Sequence, residues 1–161
     1  MTDRKTIVIN GKHTSDILNV IKSERIRIGC NDTEIGYSES LRCLCIDDDT
    51  YMRAIKNKLL GYKYQDNKKN LRDHSTIISL QEVKQKLLDC DLKCHYCNKL
   101  VKVIYRIVRD PLQWTLDRID NKKNHSNVNT LIACLHCNLK RRNINKDKFE
   151  FSQNINIVKV E

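Results

Sequence analysis

Cys94-His95-Tyr96-Cys97 and Cys134-Leu135-His136-Cys137 are the two stretches whose reading decides the fold. Each is a C-x2-C pair, and 36 residues separate them. One tight turn supplies two sulfurs, and folding brings the two pairs together, which is what a closed tetrahedral zinc site requires. Four thiolates leave no open coordination position, so a zinc ion bound by Cys94, Cys97, Cys134 and Cys137 is expected to be structural, clamping a region too short to hold itself by apolar contacts. His95 and His136 lie inside the knuckles as alternative ligands that four cysteines make unnecessary. Of the eight cysteines, Cys30, Cys43, Cys45 and Cys90 show no such regularity. They read as buried small side chains, with a second zinc site using Cys43 and Cys45 as the alternative.

Outward from the knuckles, Ser79-Leu80-Gln81-Glu82 is a capping box that opens a helix with Leu80, Val83, Leu87 and Leu88 on one side, ending around Asp89. Leu100 to Val108 alternates as a strand, a turn follows at Asp110-Pro111, and Gln113 to Ile119 reads as a second strand. Residues 120–129 are polar and loop-like. From Thr130 onward, through the second knuckle to about Arg142, the pattern reads as a helix. The expected order is therefore helix, knuckle, β-hairpin, loop, helix.

Further toward the N-terminus, Thr6 to Ile9 reads as a strand, Asn10-Gly11 as a turn, and a helix with Ile17, Leu18 and Ile21 on one face starts near Ser15. Residues 32–49 are acidic, and Asp47-Asp48-Asp49 reads as a solvated turn or a helix start. The charge then reverses: Arg53, Lys56, Lys58, Lys63, Lys68, Lys69 and Arg72 are opposed only by Asp66. Tyr51, Tyr62 and Tyr64 lie in or beside this run, an interleaving that suits backbone contacts and base stacking.

Across 161 residues, 30 Lys+Arg against 20 Asp+Glu give a net charge of +10. That surplus makes a polyanion the first partner to consider. The length suits one domain with a small annex. Four glycines and one proline exclude collagen-like or low-complexity architecture. No apolar run is long enough for a membrane span or a signal peptide, so a soluble intracellular protein with no membrane partner is expected.

Between the knuckles stand Leu116-Asp117-Arg118-Ile119-Asp120-Asn121, then Asn129-Thr130-Leu131-Ile132-Ala133-Cys134, then Cys137-Asn138-Leu139-Lys140-Arg141. This order resembles the HNH endonuclease family, in particular its viral and phage-like branch in which the strand reads Leu-Asp-Arg-Ile-Asp-Asn. The resemblance runs from about Ser79 to Lys146. It implies an α+β fold: a ββα-metal, treble-clef-like, zinc-braced module over 76–150, after an N-terminal α/β extension (1–75) that grips DNA and before a short tail (151–161). It implies hydrolysis of DNA phosphodiesters, double-stranded DNA above all, to 5′-phosphate and 3′-hydroxyl ends, in the cytoplasm or nucleus of a host cell, by a viral or phage-encoded protein. A homodimer is compatible with it.

Residue by residue, the resemblance makes Asp117 and Asn138 ligands of a catalytic Mg²⁺ or Mn²⁺, Asn129 a tie between loop and backbone, and Arg141 or Lys140 a contact to the scissile phosphate. Where the family carries the histidine that activates water, this chain has Arg118. A guanidinium stays protonated and cannot serve as that base, although it can grip a phosphate. His125, His136, Tyr96 and Tyr105 are the candidates for the missing role, with His125 preferred. The alternatives to a nuclease are a catalytically inactive zinc-stabilised DNA-binding module and a zinc domain for protein interaction.

Overall fold

A computed structural model describes residues 36–71 and 77–153. The expected N-terminal strand, turn and helix lie outside the described residues, as do Cys30 and Arg72.

The chain folds as a mixed α+β structure with one small antiparallel sheet. Helix α1 (Tyr37–Cys45) and helix α2 (Asp49–Lys68) come first. The Asp47–Asp49 run is both turn and helix start: Asp47 takes a left-handed φ of 56°, and the Asp48 carboxylate caps α2 by accepting from the Thr50 and Tyr51 amides. Helix α3 (Leu80–Asp89) forms as the capping box dictates, with the Ser79 hydroxyl accepting from the Glu82 amide and the Glu82 carboxylate from the Ser79 amide. Val83 and Leu87 are its buried face. Strands β1 (Trp114–Arg118) and β2 (Thr130–Cys134) follow, then helix α4 (Leu135–Arg141) and helix α5 (Lys146–Gln153).

The sheet differs from the expected hairpin in two ways. Leu100 to Val108 is not a strand. Val101 and Val103 are buried, but among the described residues the segment pairs only through single bridges, Lys93 to Leu100 and Lys102 to Gln113. Its place beside β1 is taken by Thr130–Cys134, which was read as the start of a helix. Thr130, Ile132, Ala133 and Cys134 are all buried, and they pair with β1 in the register Trp114 to Cys134 and Asp117 to Leu131. The helix waits until Leu135 because Cys134 is extended and caps it, its sulfur accepting from the Cys137 amide.

Helix α2 packs into the same core as these C-terminal elements, through Tyr51, Ile55 and Tyr62. It also covers the outer edge of β1. The Tyr62 hydroxyl accepts from the Leu116 amide at 2.9 Å, and the Lys58 ammonium donates to the Trp114 carbonyl while lying 4.7 Å from the centroid of the indole ring. An uncovered strand edge would template aggregation, so these side chains cap it. Among the described residues no helix is long and apolar enough to cross a membrane.

Candidate functional site

The two knuckles meet. The ligand atoms of Cys94, Cys97, Cys134 and Cys137 all lie within 4.8 Å of one another, with 3.9 Å between the Cys97 and Cys134 sulfurs. A tetrahedron with Zn–S bonds of about 2.3 Å has sulfurs about 3.8 Å apart, so the four residues fit a structural zinc ion. Main-chain bonds set the geometry: the His95 amide donates to the Ile132 carbonyl, and the Asn98 and Cys94 amides close the first turn. The Cys134 thiol donates to Cys94, which draws the Cys94 thiol far below its ordinary pKa and pushes that of Cys134 up. Burial likewise pushes the Cys137 thiol up, so of these three thiols only Cys94 is held toward the thiolate. Among the described residues these four cysteines form the one cluster of metal-ligating groups. Cys43 is buried and Cys45 exposed, and among the described residues neither joins a cluster of metal-ligating groups. His95 pairs with Glu150 at 2.5 Å, and His136 is exposed.

Successive residues of β1 point to opposite faces, as in any strand. Leu116 and Arg118 meet α2 and the 120–129 loop, while Thr115 and Asp117 meet α4. An open cleft of about 250 Å³ lies over this junction, and Asp117, Arg118, His125 and Asn138 all line it. Tyr62, Lys69 and Arg142 share its wall.

His125 is buried and held from below. Its Nδ1 lies 2.7 Å from one oxygen of Asp66, and its own amide donates to the other at 2.9 Å. Tyr62 packs beside the imidazole with ring centroids 4.6 Å apart. Burial lowers the His125 pKa from its ordinary value, against the opposing pull of the Asp66 charge. The Arg118 guanidinium, 3.9 Å from Asp66, donates to the Lys123 carbonyl.

Asp117 is tied differently. Arg141 donates to one oxygen at 2.8 Å and Tyr96 to the other at 2.5 Å. Burial pushes the Asp117 pKa up, and these two donors pull against it. The Asn138 amide donates to the Thr115 hydroxyl. A carboxylate and an amide carbonyl are donors of the right type for a hard cation. Here, however, each carboxylate oxygen already accepts a bond, and Arg141 cancels the charge. The pair as arranged does not fit a divalent ion.

Several residues stand apart from the cleft. Arg141 is fully buried against Asp117 and donates to the Ile119 carbonyl, so it is not a phosphate contact. The next residue, Arg142, is exposed on the cleft wall at a left-handed φ of 50° where α4 ends. Asn129 lies beneath the loop, where its side chain bonds the Asp120 amide and the Asp120 and Asn124 carbonyls, the tie expected of it. Neither His136, Tyr96 nor Tyr105 lines the cleft.

Sequence reasoning missed Asp66, read as the lone exception in a basic run, and Tyr62 as its neighbour. The signal was present: Tyr51, Ile55, Tyr62 and Asp66 recur at helical spacing, so Asp66 lies on the buried face of α2. An acid on that face needs a partner.

No family model matches this chain, and neither a curated protein nor a solved structure does.

Proposed function

We propose that this chain is an HNH-like DNA endonuclease that hydrolyses phosphodiester bonds. The observation that carries this reading is the buried Asp66–His125 pair opening onto the same cleft as Asp117, Arg118 and Asn138. A neutral imidazole with one nitrogen fixed by a carboxylate is oriented to take a proton through the other. It supplies the base that Arg118 cannot be. The strand–strand–helix order, with cysteine pairs before β1 and at the β2–α4 junction, supports the ββα-metal, treble-clef-like assignment.

In this reading a phosphate enters a cleft whose net charge is positive, because Arg141 neutralises Asp117 and Arg118 balances Asp66 while Lys69 and Arg142 remain. Arg118 and Arg142 hold the phosphate oxygens, the role for which guanidinium is suited. His125 accepts the proton of the attacking water, and Asp66 stabilises the imidazolium that forms. The resemblance calls for a divalent ion, but Asp117, already bound by Arg141 and Tyr96, does not fit one. No step here therefore runs through it, and the assay asks whether one is needed.

The assay is relaxation of supercoiled plasmid with Mg²⁺, with Mn²⁺ and without added divalent ion, beside His125→Ala. Nicking by the wild-type protein that is lost in the variant is the expected result, and the metal-free lane shows whether a divalent ion takes part. Binding without nicking under every metal overturns the enzyme. It would leave the second reading, a zinc-stabilised DNA-binding module, which the internally neutralised Asp117 favours.

A further inference from the structure

Helix α4 has a second exposed side. Between it and the 105–111 segment run two depressions of about 410 and 300 Å³, which share Arg109, Leu135 and Leu139 and so form one groove. Leu139, half exposed, also lines the cleft, so groove and cleft meet across a single side chain. Val108 and Tyr105 complete the apolar and aromatic wall, and Lys140 joins Arg109 at the rim. None of the described residues that line the groove is acidic.

We infer that this groove receives an unstacked nucleobase of the strand whose phosphate lies in the cleft. The inference rests on the DNA reading above and goes beyond it by naming how the strand is held. An apolar floor beside an aromatic ring takes the flat face of a base, and cations at the rim take the phosphates on either side of it. The exposed Leu139 stands between the two sites, where an apolar side chain separates one base from the next.

The groove is built before any ligand arrives. The Leu135 and His136 amides donate to the Gln113 and Pro111 carbonyls, which pins α4 to the opposite wall. The Asp110 carboxylate accepts from the Leu112 amide at 2.8 Å and pairs with Lys102 at 3.3 Å, holding the turn. A base entering it therefore orders no loop.

The test measures binding without cleavage, using the full zinc-loaded chain without added divalent ion. Anisotropy compares two labelled oligodeoxynucleotides of equal length and phosphate number, one bearing bases throughout and one with a run of abasic sites. The base-bearing strand should bind about tenfold more tightly, as one stacked base predicts. Val108→Asn, on an exposed position, should reduce that preference to about twofold or less, while the abasic strand, which has no base to lose, binds both proteins alike. Val108→Thr, close to isosteric, should fall between them, and unfolding curves for all three confirm the fold. Equal binding of the two strands by the wild-type protein overturns the groove while leaving the DNA reading in place. A preference that survives Val108→Asn overturns it too. A duplex of the same length is the control: binding of the duplex with neither strand bound overturns the groove alone, and failure to bind all three removes the DNA reading and the groove with it.

Discussion

Two buried carboxylates stand on either side of β1, and they are used in opposite ways. Asp117 faces α4 and spends its charge on Arg141, 24 residues away in the chain, with Tyr96 on its second oxygen. Asp66 faces the 120–129 loop from α2, 59 residues from its partner His125, and holds an imidazole that keeps access to the cleft. The first pair is closed: both charges are satisfied internally, and the Arg141 Nε is left without a hydrogen-bond partner. The second is open, since a neutral histidine has one nitrogen to spare. What distinguishes the two carboxylates is the partner: guanidinium cannot give up its proton, and imidazole can.

Removing the metal should erase the comparison altogether. Both pairs depend on β1, β2 and α4, and all three are anchored by the cysteine cluster. Binding of structural zinc to small domains is worth ~10–16 kcal/mol of apparent folding energy, so chelation or Cys94→Ser should unfold the C-terminal region, read by circular dichroism. Retention of both pairs in the metal-free protein would refute the role given to the cluster.

Opening the closed pair is the next largest effect. Asp117→Ala leaves a buried guanidinium uncompensated and should cost ~3–5 kcal/mol by chemical denaturation. The double variant Asp117→Leu/Arg141→Met should recover most of that loss, since an apolar pair of similar volume replaces both charges. A double variant no more stable than Asp117→Ala would show that the pair is not a self-contained unit.

The open pair should respond less in stability and more in activity. Asp66→Asn keeps an acceptor for the His125 amide but loses the charge and sets an NH2 donor in place of the oxygen facing Nδ1, so a destabilisation of ~1–3 kcal/mol is expected. Loss of the carboxylate lets burial lower the His125 pKa further. The acid limb of any cleavage profile should therefore move to lower pH and the rate should fall; an unmoved limb would rule out His125 as the base.

The smallest effect is the pH dependence of stability. Folded His125 has a pKa below the ordinary imidazole value of about 6.5. Between those two values the unfolded chain binds more protons than the folded one, so stability rises with pH through that window. The contribution is complete above about pH 6.5 and lost as pH falls to the folded value. The difference between wild type and His125→Gln isolates it from the thiolates, which titrate in both proteins. Parallel stability profiles would refute it.

Local patterns in the chain were readable where a rule acts within a few residues. The capping box at Ser79–Glu82 and the cysteine pairs are such cases, and the structure has both. The sheet was less legible because Val101 and Val103 alternate like a strand whichever neighbour they pair with. Nothing local says that β1 prefers Thr130–Cys134. The 120–129 loop hid its organisation for a similar reason: Asn129 shapes it through three hydrogen bonds that only the closed loop creates. Of the site, Asp117, Arg118, His125 and Asn138 reached one cleft as the motif suggested. Arg142 lines the cleft where Arg141 does not, because α4 ends at Arg141 and the left-handed residue after it is exposed while Arg141 is buried against the strand.

The sulfur of Cys134 ends β2, caps α4 and belongs to the cluster, so one atom fixes three events in time as well as in space. During synthesis the first cysteine pair emerges long before the second, and no tetrahedral site exists until Cys137 has left the ribosome. Helix α2, made earliest among these elements, has its partners Leu116 and His125 more than fifty residues downstream. Contacts so distant in sequence close slowly. The chain is therefore expected to mature as a late, metal-gated event, and cells starved of zinc should accumulate it in a protease-sensitive form even where its messenger is abundant.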